Sequence, residues 1–309
     1  MGMLEDVEVI AENLNFPEGP VALSDGSVLV VEIKRGTLSR VTEEGHVEVV
    51  AECGDGPNGA AIGPDGACYV TNNGGIWPTR GGVGRIQRVD LATGEVDDLY
   101  ESCDGRELYA PNDLVFDANG CLWFTDTGSG SERRIERGAV YYAAADGSHI
   151  HEVVGPADQP NGIGLSPDGN VLYYAETQLA RVHRRVITRP GQLAPIEPVS
   201  SGTVFFGREP SLESLLVRLP GWVELDSLAV DAEGNVCVGT LVEGGITVIS
   251  PDGLRVEHLR LPDSLQEGLV TNICFGGPDL STAFITLSTT GRLIACRWPR
   301  PGLRLAFNA

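Results

Sequence analysis

The chain has 309 residues, 42% of them hydrophobic, and carries 22 Lys and Arg against 43 Asp and Glu, a formal net charge of −21 at pH 7. This charge repels phosphate backbones and anionic lipid surfaces, so nucleic acid and membranes are excluded as main partners. At roughly 150 residues per domain, the length allows about two domains or one closed all-β domain.

The N-terminal segment, MGMLEDVEVIAENLNF, lacks the basic and apolar regions of a signal peptide. No stretch of the sequence reaches the roughly 18 consecutive apolar residues of a membrane span. The seven cysteines are odd in number, scattered and never spaced C-x-x-C, a pattern typical of reduced thiols. We therefore expect an unsecreted, cytoplasmic protein.

Short apolar runs between glycine-rich turns predict an all-β protein. One motif, a strand, a tight turn and a second strand, recurs six times. In chain order the copies are FPEGPVALSDGSVLVVE from Phe16, GPNGAAIGPDGACYVTN from Gly56, APNDLVFDANGCLWFTD from Ala110, QPNGIGLSPDGNVLYYAE from Gln159, ELDSLAVDAEGNVCVGT from Glu224 and VTNICFGGPDLSTAFIT from Val270. The best candidate for a helix is the segment from Pro210 to Leu219.

A second hairpin follows each motif, and these hairpins read GTLSRVTEEG, GRIQRVDLATG, GAVYYAAADG, ARVHRRVITRPG, GGITVISPDG and GRLIACRWPRPG. Two hairpins give four antiparallel strands per unit, and six such units can bury their faces by stacking radially against one another. The sequence therefore predicts one six-bladed β-propeller domain over residues 1–309. The N-terminal segment DVEVIAENL is expected to complete the last blade.

The second position of each motif lies at the entry to the innermost strand and is expected to face the central channel. We call the residues at this position the ring residues: Glu18, Asn58, Asn112, Asn161, Asp226 and Asn272. All carry side-chain oxygens, which suit a divalent cation such as calcium with its 6–8 oxygen ligands, and no histidine or cysteine joins them. Asn residues in Pro-Asn-Gly could act only as turn formers, but that interpretation does not explain Glu18 or Asp226.

These motifs, above all FPEGP, APNDLVFDANGCLWFTD, QPNGIGLSPDG and the stretch around Asp226, resemble the senescence-marker-protein-30/gluconolactonase (SMP-30/gluconolactonase/LRE) family of six-bladed propellers. The resemblance implies one divalent metal on the axis, held by Glu18, Asn112, Asn161 and Asp226. Calcium is favoured, with zinc, manganese, magnesium and iron(II) left open. It also implies a hydrolase that opens a small lactone such as gluconolactone, with the metal polarising the carbonyl and Asp226 activating water.

The substrate is less well defined than the family. Some members that act on sugar lactones have an arginine two residues before the Asn of the third unit, where this chain has Ala110. Two alternatives stay open. The same metal site could hydrolyse a phosphotriester, or the protein could be a ligand-binding propeller of the NHL type in which the cation serves structure only.

Specificity is expected from loops at the metal-bearing face, because the blades form a rigid scaffold. Candidates on these loops are Trp77, Arg80, Arg106, Tyr109, Arg133, Arg134, Arg137, Phe205, Phe206 and Trp222. We expect substrate binding by Asn58, Asn112, Tyr109, Trp77, Arg80 and Trp222. Asn272 is expected to bind substrate or water, and the long connection before the fifth unit could form a lid.

A second polar position follows the ring residues by fourteen or fifteen positions and holds Glu32, Asn72, Asp126 and Glu176. We expect these side chains to tie the second strand to a loop or blade, with Asp126 also a candidate substrate contact. No G-x-S-x-G motif is present. The histidines, His46, His149, His151, His183 and His258, are expected at the surface.

Overall fold

The computed structural model describes residues 2–75, 82–131, 133–196, 214–265 and 267–307. Regular structure in these ranges is strand, apart from one 3-10 helix at Asp263–Leu265. The strands form six blades of a β-propeller, as the repeats predict. Within the described ranges, no helix has the length and apolar character needed to cross a membrane.

The N-terminal half contains two leading strands and the first three blades. The leading strands are β1 (Gly2–Met3) and β2 (Glu8–Ala11). Blade 1 consists of β3 (Pro17–Ala22), β4 (Val28–Glu32), β5 (Thr37–Val41) and β6 (Val47–Glu52), and blade 2 of β7 (Pro57–Ile62), β8 (Cys68–Asn72), β9 (Arg85–Val89) and β10 (Val96–Tyr100). A short hairpin, β11 (Ser102–Cys103) and β12 (Arg106–Glu107), precedes blade 3. Blade 3 consists of β13 (Pro111–Phe116), β14 (Cys121–Asp126), β17 (Gly138–Ala144) and β18 (Ile150–Ala157), with the hairpin β15 (Ser129–Ser131) and β16 (Arg134–Glu136) inserted.

The C-terminal half contains the other three blades. Blade 4 consists of β19 (Pro160–Leu165), β20 (Val171–Glu176) and β21 (Arg181–Arg189), whose outer edge pairs with both β22 (Gln192–Leu193) and β23 (Leu215–Arg218). Blade 5 consists of β24 (Glu224–Val230), β25 (Val236–Leu241), β26 (Gly245–Ile249) and β27 (Val256–Arg260). Blade 6 contains β28 (Val270–Gly276), β29 (Thr282–Leu287) and β30 (Arg292–Arg297).

The N-terminal segment closes the circle of blades. Strand β2 is the outer strand of blade 6 and runs antiparallel to β30, with Glu8 opposite Ala295. This confirms the closure predicted from DVEVIAENL. Strand β1 adds in parallel to β27 of blade 5, with Gly2 opposite Leu259, a short contact that no sequence pattern indicates.

Apolar side chains fill the spaces between neighbouring blades. Alternate residues of a strand face opposite sides of its sheet, so along β14 the side chain of Phe124 packs towards blade 2 and that of Trp123 towards blade 4. Trp123 is fully buried and its ring lies 4.7 Å from that of Tyr142. Each blade is thus held by both of its neighbours.

The prediction of a helix between Pro210 and Leu219 is wrong for residues 214–219, the part that the structure describes. Leu215–Arg218 is strand β23, and its residues pair with β21, Arg218 opposite Arg181. The edge of β21 offers hydrogen bonds, and Val217 packs against the core of blades 4 and 5. These tertiary contacts outweigh the local helical pattern. Residues 197–213, with the rest of the predicted helix and lid, lie outside the described residues.

The C-terminal segment crosses the end of the channel opposite the ring residues. Leu303 donates its amide to the carbonyl of Val230, the last residue of the innermost strand β24, at 3.1 Å. Leu303 and Leu305 line a cavity of about 80 Å³ inside the channel, and the ring of Phe307 lies 5.9 Å from that of Phe116. This segment therefore covers the end of the channel that lies opposite the ring residues.

We predict that deletion of residues 2–11 destabilises the propeller, because it removes the outer strand of blade 6 and the buried side chain of Ala11. The expected loss is roughly 2–3 kcal/mol, or about 3–5 °C in melting temperature for a chain of this size. Thermal unfolding followed by circular dichroism measures it. Leu254→Ser, at a residue 84% exposed, is the control and should keep the wild-type melting temperature. A deletion variant that also keeps the wild-type melting temperature would contradict closure of the propeller by β2.

Candidate metal centre and active site

The ring residues lie at irregularities in the innermost strands. In blade 3, Asn112 and Asp113 together oppose Thr125, between the regular pairs Pro111–Asp126 and Leu114–Phe124. The ladders of the other blades shift at or next to the corresponding residues. Such a bulge bends a strand and redirects a side chain. The repeat therefore places one bulge and one oxygen-bearing side chain per blade at the same end of the channel.

Direct contacts link ring residues from different blades. Asn272 Nδ2 of blade 6 donates to Glu18 Oε2 of blade 1 at 2.7 Å. Asn161 of blade 4 is hydrogen-bonded to the carboxylate of Asp226 in blade 5, and the Ser227 hydroxyl donates to Asn161 Oδ1 at 3.4 Å. The structure thus brings together residues far apart in the sequence.

Burial distinguishes Asp226 from the other ring residues. Glu18, Asn58, Asn112, Asn161 and Asn272 are each at most 9% exposed. Asp226 is half-buried as a whole residue, although its carboxylate lies in a buried environment.

Two ring carboxamides hold buried oxygen atoms that the described residues leave without a hydrogen-bond partner: Asn58 Oδ1 and Asn112 Oδ1. A buried unpaired acceptor costs roughly 1–3 kcal/mol. A cation bound in the ring offers such an oxygen a partner. Asn112 is one of the four predicted ligands, so its unpaired oxygen fits the predicted metal site.

The two ring carboxylates are buried in a way that penalises their charges. Burial raises the pKa of Glu18 to about 7, although hydrogen bonds from Asn272 and the Gly19 amide oppose the rise. Burial also raises the pKa of Asp226 well above its usual value, and the neighbouring charge of Glu18 adds to the increase. Like charges in a low dielectric disfavour joint ionisation, and a cation between them would remove that penalty.

The residues present therefore fit a hard divalent cation. Glu18, Asn112, Asn161 and Asp226 offer only oxygen atoms and two negative charges, which is the donor chemistry that calcium takes. Over the described ranges, no three His, Cys, Asp or Glu side chains form a metal-binding group. The predicted set has only two residues of these types, because its other members are carboxamides.

The predicted substrate-binding residues divide into three groups. Asn58 and Asn112 belong to the buried ring. Tyr109, 41% exposed, and Trp222, 81% exposed, lie on loops that lead into the innermost strands of blades 3 and 5. The other candidates, Trp77, Arg80, Phe205 and Phe206, lie outside the described residues.

The arginines of the nearby loops differ in their partners. Arg106 Nη2 lies 2.8 Å from Glu152 Oε2, and Arg137 Nε lies 3.6 Å from Asp158 Oδ1. Arg133 and Arg134 are exposed at the hairpin of β15 and β16. The first two are therefore engaged in ion pairs at the surface.

The second polar position anchors the loops that lead into the ring, as predicted. Asp126 accepts the amides of Tyr109 at 2.7 Å and Ala110 at 2.8 Å, directly before the innermost strand of blade 3. Glu32 likewise accepts the Asn15 amide and Glu176 the Asp158 amide, whereas Asn72 donates from Nδ2 to the Cys53 carbonyl. Asp126 is only 2% exposed, so we assign it to loop anchoring and no longer to substrate contact.

The prediction that His183 lies at the surface is wrong. His183 is 8% exposed, and its ring stacks on that of Tyr174. Its Nε2 lies 3.2 Å from Glu176 Oε2, and its Nδ1 lies 3.3 Å from Ser214 Oγ. Strand β21 has partners on both sides, which explains the burial. The order Ser, His, Glu resembles a hydrolase triad, but Ser214 is buried and Glu176 is ion-paired with Arg181. His46 and His149 are exposed as expected.

One buried carboxylate escaped the sequence reasoning. Asp113, next to Asn112, is 6% exposed, and burial raises its pKa to about 7. Its signal is visible in the aligned motifs, where the residue after the ring residue is otherwise Gly19, Gly59, Gly162, Ser227 or Ile273. Comparing only the ring position overlooks this change.

Comparison with known proteins gives a family match and close structural relatives. Residues 16–289 match the family model described as SMP-30/Gluconolactonase/LRE-like region. A gluconolactonase from Zymomonas mobilis is 27% identical over 305 residues, covering 91% of this chain and 79% of the relative. The solved structure of a gluconolactonase from Xanthomonas campestris matches with a TM-score of 0.74 at 22% identity, covering 96% of this chain and 92% of that one. A calcium-binding protein, regucalcin, from Agrobacterium tumefaciens matches with a TM-score of 0.67 at 19% identity, covering 98% and 99%. The two structures share the propeller fold.

We predict that calcium stabilises the protein more at pH 8 than at pH 5. The pKa of Glu18 rises from 4.5 to about 7 on folding, so the metal-free folded chain binds more protons than the unfolded chain between these values. Its stability therefore falls as pH rises through this window, by about 3 kcal/mol for that shift. At pH 8 calcium meets an ionised ring, whereas at pH 5 it competes with protons.

Melting temperatures with calcium or chelator at the two pH values measure this effect. We expect calcium to add at least about 5 °C at pH 8 and less than about 2 °C at pH 5. Glu18→Gln is the matched variant and should lose most of the difference. Equal stabilisation at both pH values would contradict the ring as the cation site.

Proposed function

The chain belongs to the SMP-30/gluconolactonase/LRE-like family, and we propose that it is a divalent-metal-dependent hydrolase that opens a small lactone to the hydroxy acid. The name of the Zymomonas mobilis relative, gluconolactonase, supports lactone hydrolysis. The observation that carries the proposal is the buried ring itself. It joins two carboxylates of raised pKa to the unpaired oxygen of Asn112 at one end of the channel.

We assign the cation to Glu18, Asn112, Asn161 and Asp226, with calcium preferred because every donor is an oxygen and no softer ligand is present among them. The regucalcin match, a calcium-binding protein of the same fold, supports this choice. When bound, the cation supplies Lewis-acid polarisation of a carbonyl group and stabilises developing negative charge. Zinc, manganese, magnesium and iron(II) are the other metals to test.

Asp226 is the proposed general base. The Ser227 amide, donating to Oδ1 at 3.1 Å, fixes the orientation of its carboxylate. The carboxylate takes a proton from the water that attacks the lactone carbonyl carbon. The C–O ester bond of the lactone then breaks, and its leaving oxygen receives that proton. One lactone and one water thus give one hydroxy acid.

The substrate is held by ring and loop residues together in this proposal. Asn58 and Asn112 offer carboxamides to substrate or water, and Tyr109 and Trp222 contribute from their loops. Trp77 and Arg80 stay proposed substrate-binding residues from the sequence alone. Ala110 stands where some sugar-specific relatives carry arginine, so the substrate class includes both gluconolactone and related lactones. All seven cysteines are free thiols, which supports action in a reducing compartment such as the cytoplasm.

We predict that Asp226→Asn lowers kcat for lactone hydrolysis by about 10²-fold or more, because the carboxamide cannot accept the proton. Acid release on sugar lactones, aryl lactones and one phosphotriester, with chelator and with single metals restored, measures it. Asp231→Asn is the control, since Asp231 is a buried aspartate in the turn after β24. It should keep wild-type activity.

The panel also separates the alternatives. Turnover of the phosphotriester alone would assign the site to phosphotriester hydrolysis. Uncatalysed rates on every substrate with every metal would contradict the hydrolase proposal and favour a binding propeller.

A further inference from the structure

Blade 3 departs from the repeat at the residue that follows the ring residue. In blades 1, 2 and 4 this residue is Gly, and in blade 5 it is Ser. The glycines face the next blade at short range: a Cβ on Gly162 would lie 2.6 Å from Leu228 N, and one on Gly59 would lie 2.5 Å from the Asn112 carbonyl oxygen. Asp113 therefore places a carboxylate where the other blades mostly lack a side chain.

The carboxylate of Asp113 joins three blades. Its Oδ1 accepts the amide of Leu114 in its own blade at 2.9 Å. Its Oδ2 accepts the amide of Ile163 in blade 4 at 3.1 Å and lies 3.5 Å from the amide of Leu228 in blade 5. Asp113 is only 6% exposed, and a buried carboxylate without hydrogen-bond partners is strongly disfavoured. These bonds therefore stabilise the carboxylate in its buried position.

These contacts fall next to three of the four proposed ligands. Asp113 follows Asn112 directly, Ile163 comes two residues after Asn161, and Leu228 comes two residues after Asp226. One side chain thus connects the backbone beside three ligands that come from three separate blades.

Threonine hydroxyl groups make comparable links from blade 2 to blade 3 and from blade 3 to blade 4. The Thr71 hydroxyl of blade 2 donates to the Asn112 carbonyl of blade 3. The Thr125 hydroxyl of blade 3 accepts the Asp113 amide at 3.1 Å and donates to the Asn161 carbonyl of blade 4 at 2.5 Å. Both threonines occupy the position opposite the bulge.

Blade 4 lacks this threonine, as does blade 1, where Val31 stands opposite Glu18. Between blades 4 and 5, only the long bond from the Ser227 hydroxyl to Asn161 Oδ1, at 3.4 Å, is a hydroxyl link among the described residues. The residue of blade 4 opposite the bulge is Ala175, between the regular pairs Pro160–Glu176 and Ile163–Tyr174. The side chain of Ala175 cannot donate a hydrogen bond to Asp226 in blade 5. Asp113 spans this gap, since its Oδ2 reaches both the blade 4 strand and the blade 5 strand.

We propose that Asp113 is a positioning residue that fixes the spacing of Asn112, Asn161 and Asp226, so that their oxygens converge on one cation. This inference rests on the proposed function, because it takes the ring to be the cation site. Asp113 lies behind the ligands and does not itself touch the substrate. Its effect is on the placement of the three strands.

The test is calcium affinity, measured by isothermal titration calorimetry on the full chain well below its melting temperature. Asp113→Ala removes the links to both strands and should weaken calcium binding by about 10-fold or more. Asp113→Asn keeps one oxygen that can accept both interblade amides, so its loss should stay below about 3-fold. Asp231→Ala is the matched control: this aspartate is fully buried and accepts backbone amides of its own turn, and its removal should leave calcium affinity unchanged.

Each outcome decides the inference. Wild-type affinity in Asp113→Ala, even with a lower melting temperature, shows a merely structural role and overturns it. Asp113→Asn as weak as Asp113→Ala shows that charge rather than placement matters, which also overturns it. Wild-type protein that binds no calcium or other divalent metal overturns the metal site itself and with it the proposed function. Should Asp113→Ala not fold, Asp113→Ser, too short to reach either strand, takes its place with the same expectations.

Discussion

The structure depends on the burial of like charges at one end of the propeller channel. Glu18 and Asp226 come from different blades, and burial is the largest cost of ionising either one. The charge of Glu18 adds to this cost for Asp226, and the charge of Asp113 adds to it for Glu18. Asp113 introduces a third buried carboxylate close to them, held by backbone amides. A fold does not collect such charges without compensation, since removing each from water is expensive. A divalent cation bound in the ring would compensate for these charges and would give the unpaired oxygen of Asn112 a partner.

The propeller supplies this arrangement by repetition. Each blade contributes one innermost strand, and each of those strands has an irregularity at the ring, where an oxygen-bearing side chain is directed inward. The threonine hydroxyls and Asp113 then link neighbouring blades, so that ligands far apart in the sequence keep a fixed spacing. The N-terminal strand β2 closes the circle, and the C-terminal segment covers the end of the channel opposite the ring.

Much of this architecture can be predicted from the sequence, because it is periodic. Six copies of one motif predict six blades, and their alignment identifies the ring residues, including the acidic pair Glu18 and Asp226. The features that the sequence did not reveal are those without a period. The pairing of β23 with β21 and the burial of His183 depend on tertiary contacts, and the C-terminal segment follows no repeat. The aligned motifs do show Asp113 at a position where three other motifs have Gly. Its three hydrogen bonds, however, depend on how the blades pack together.

The most direct measurement is a crystal structure of the protein soaked with calcium, with anomalous scattering used to locate the ion. The account predicts one strong peak on the channel axis, with oxygens of Glu18, Asn112, Asn161 and Asp226 at about 2.3–2.6 Å. Absence of a peak at the ring, or a peak whose nearest ligands are other residues, would contradict the central claim that the buried carboxylates and carboxamides form a metal centre.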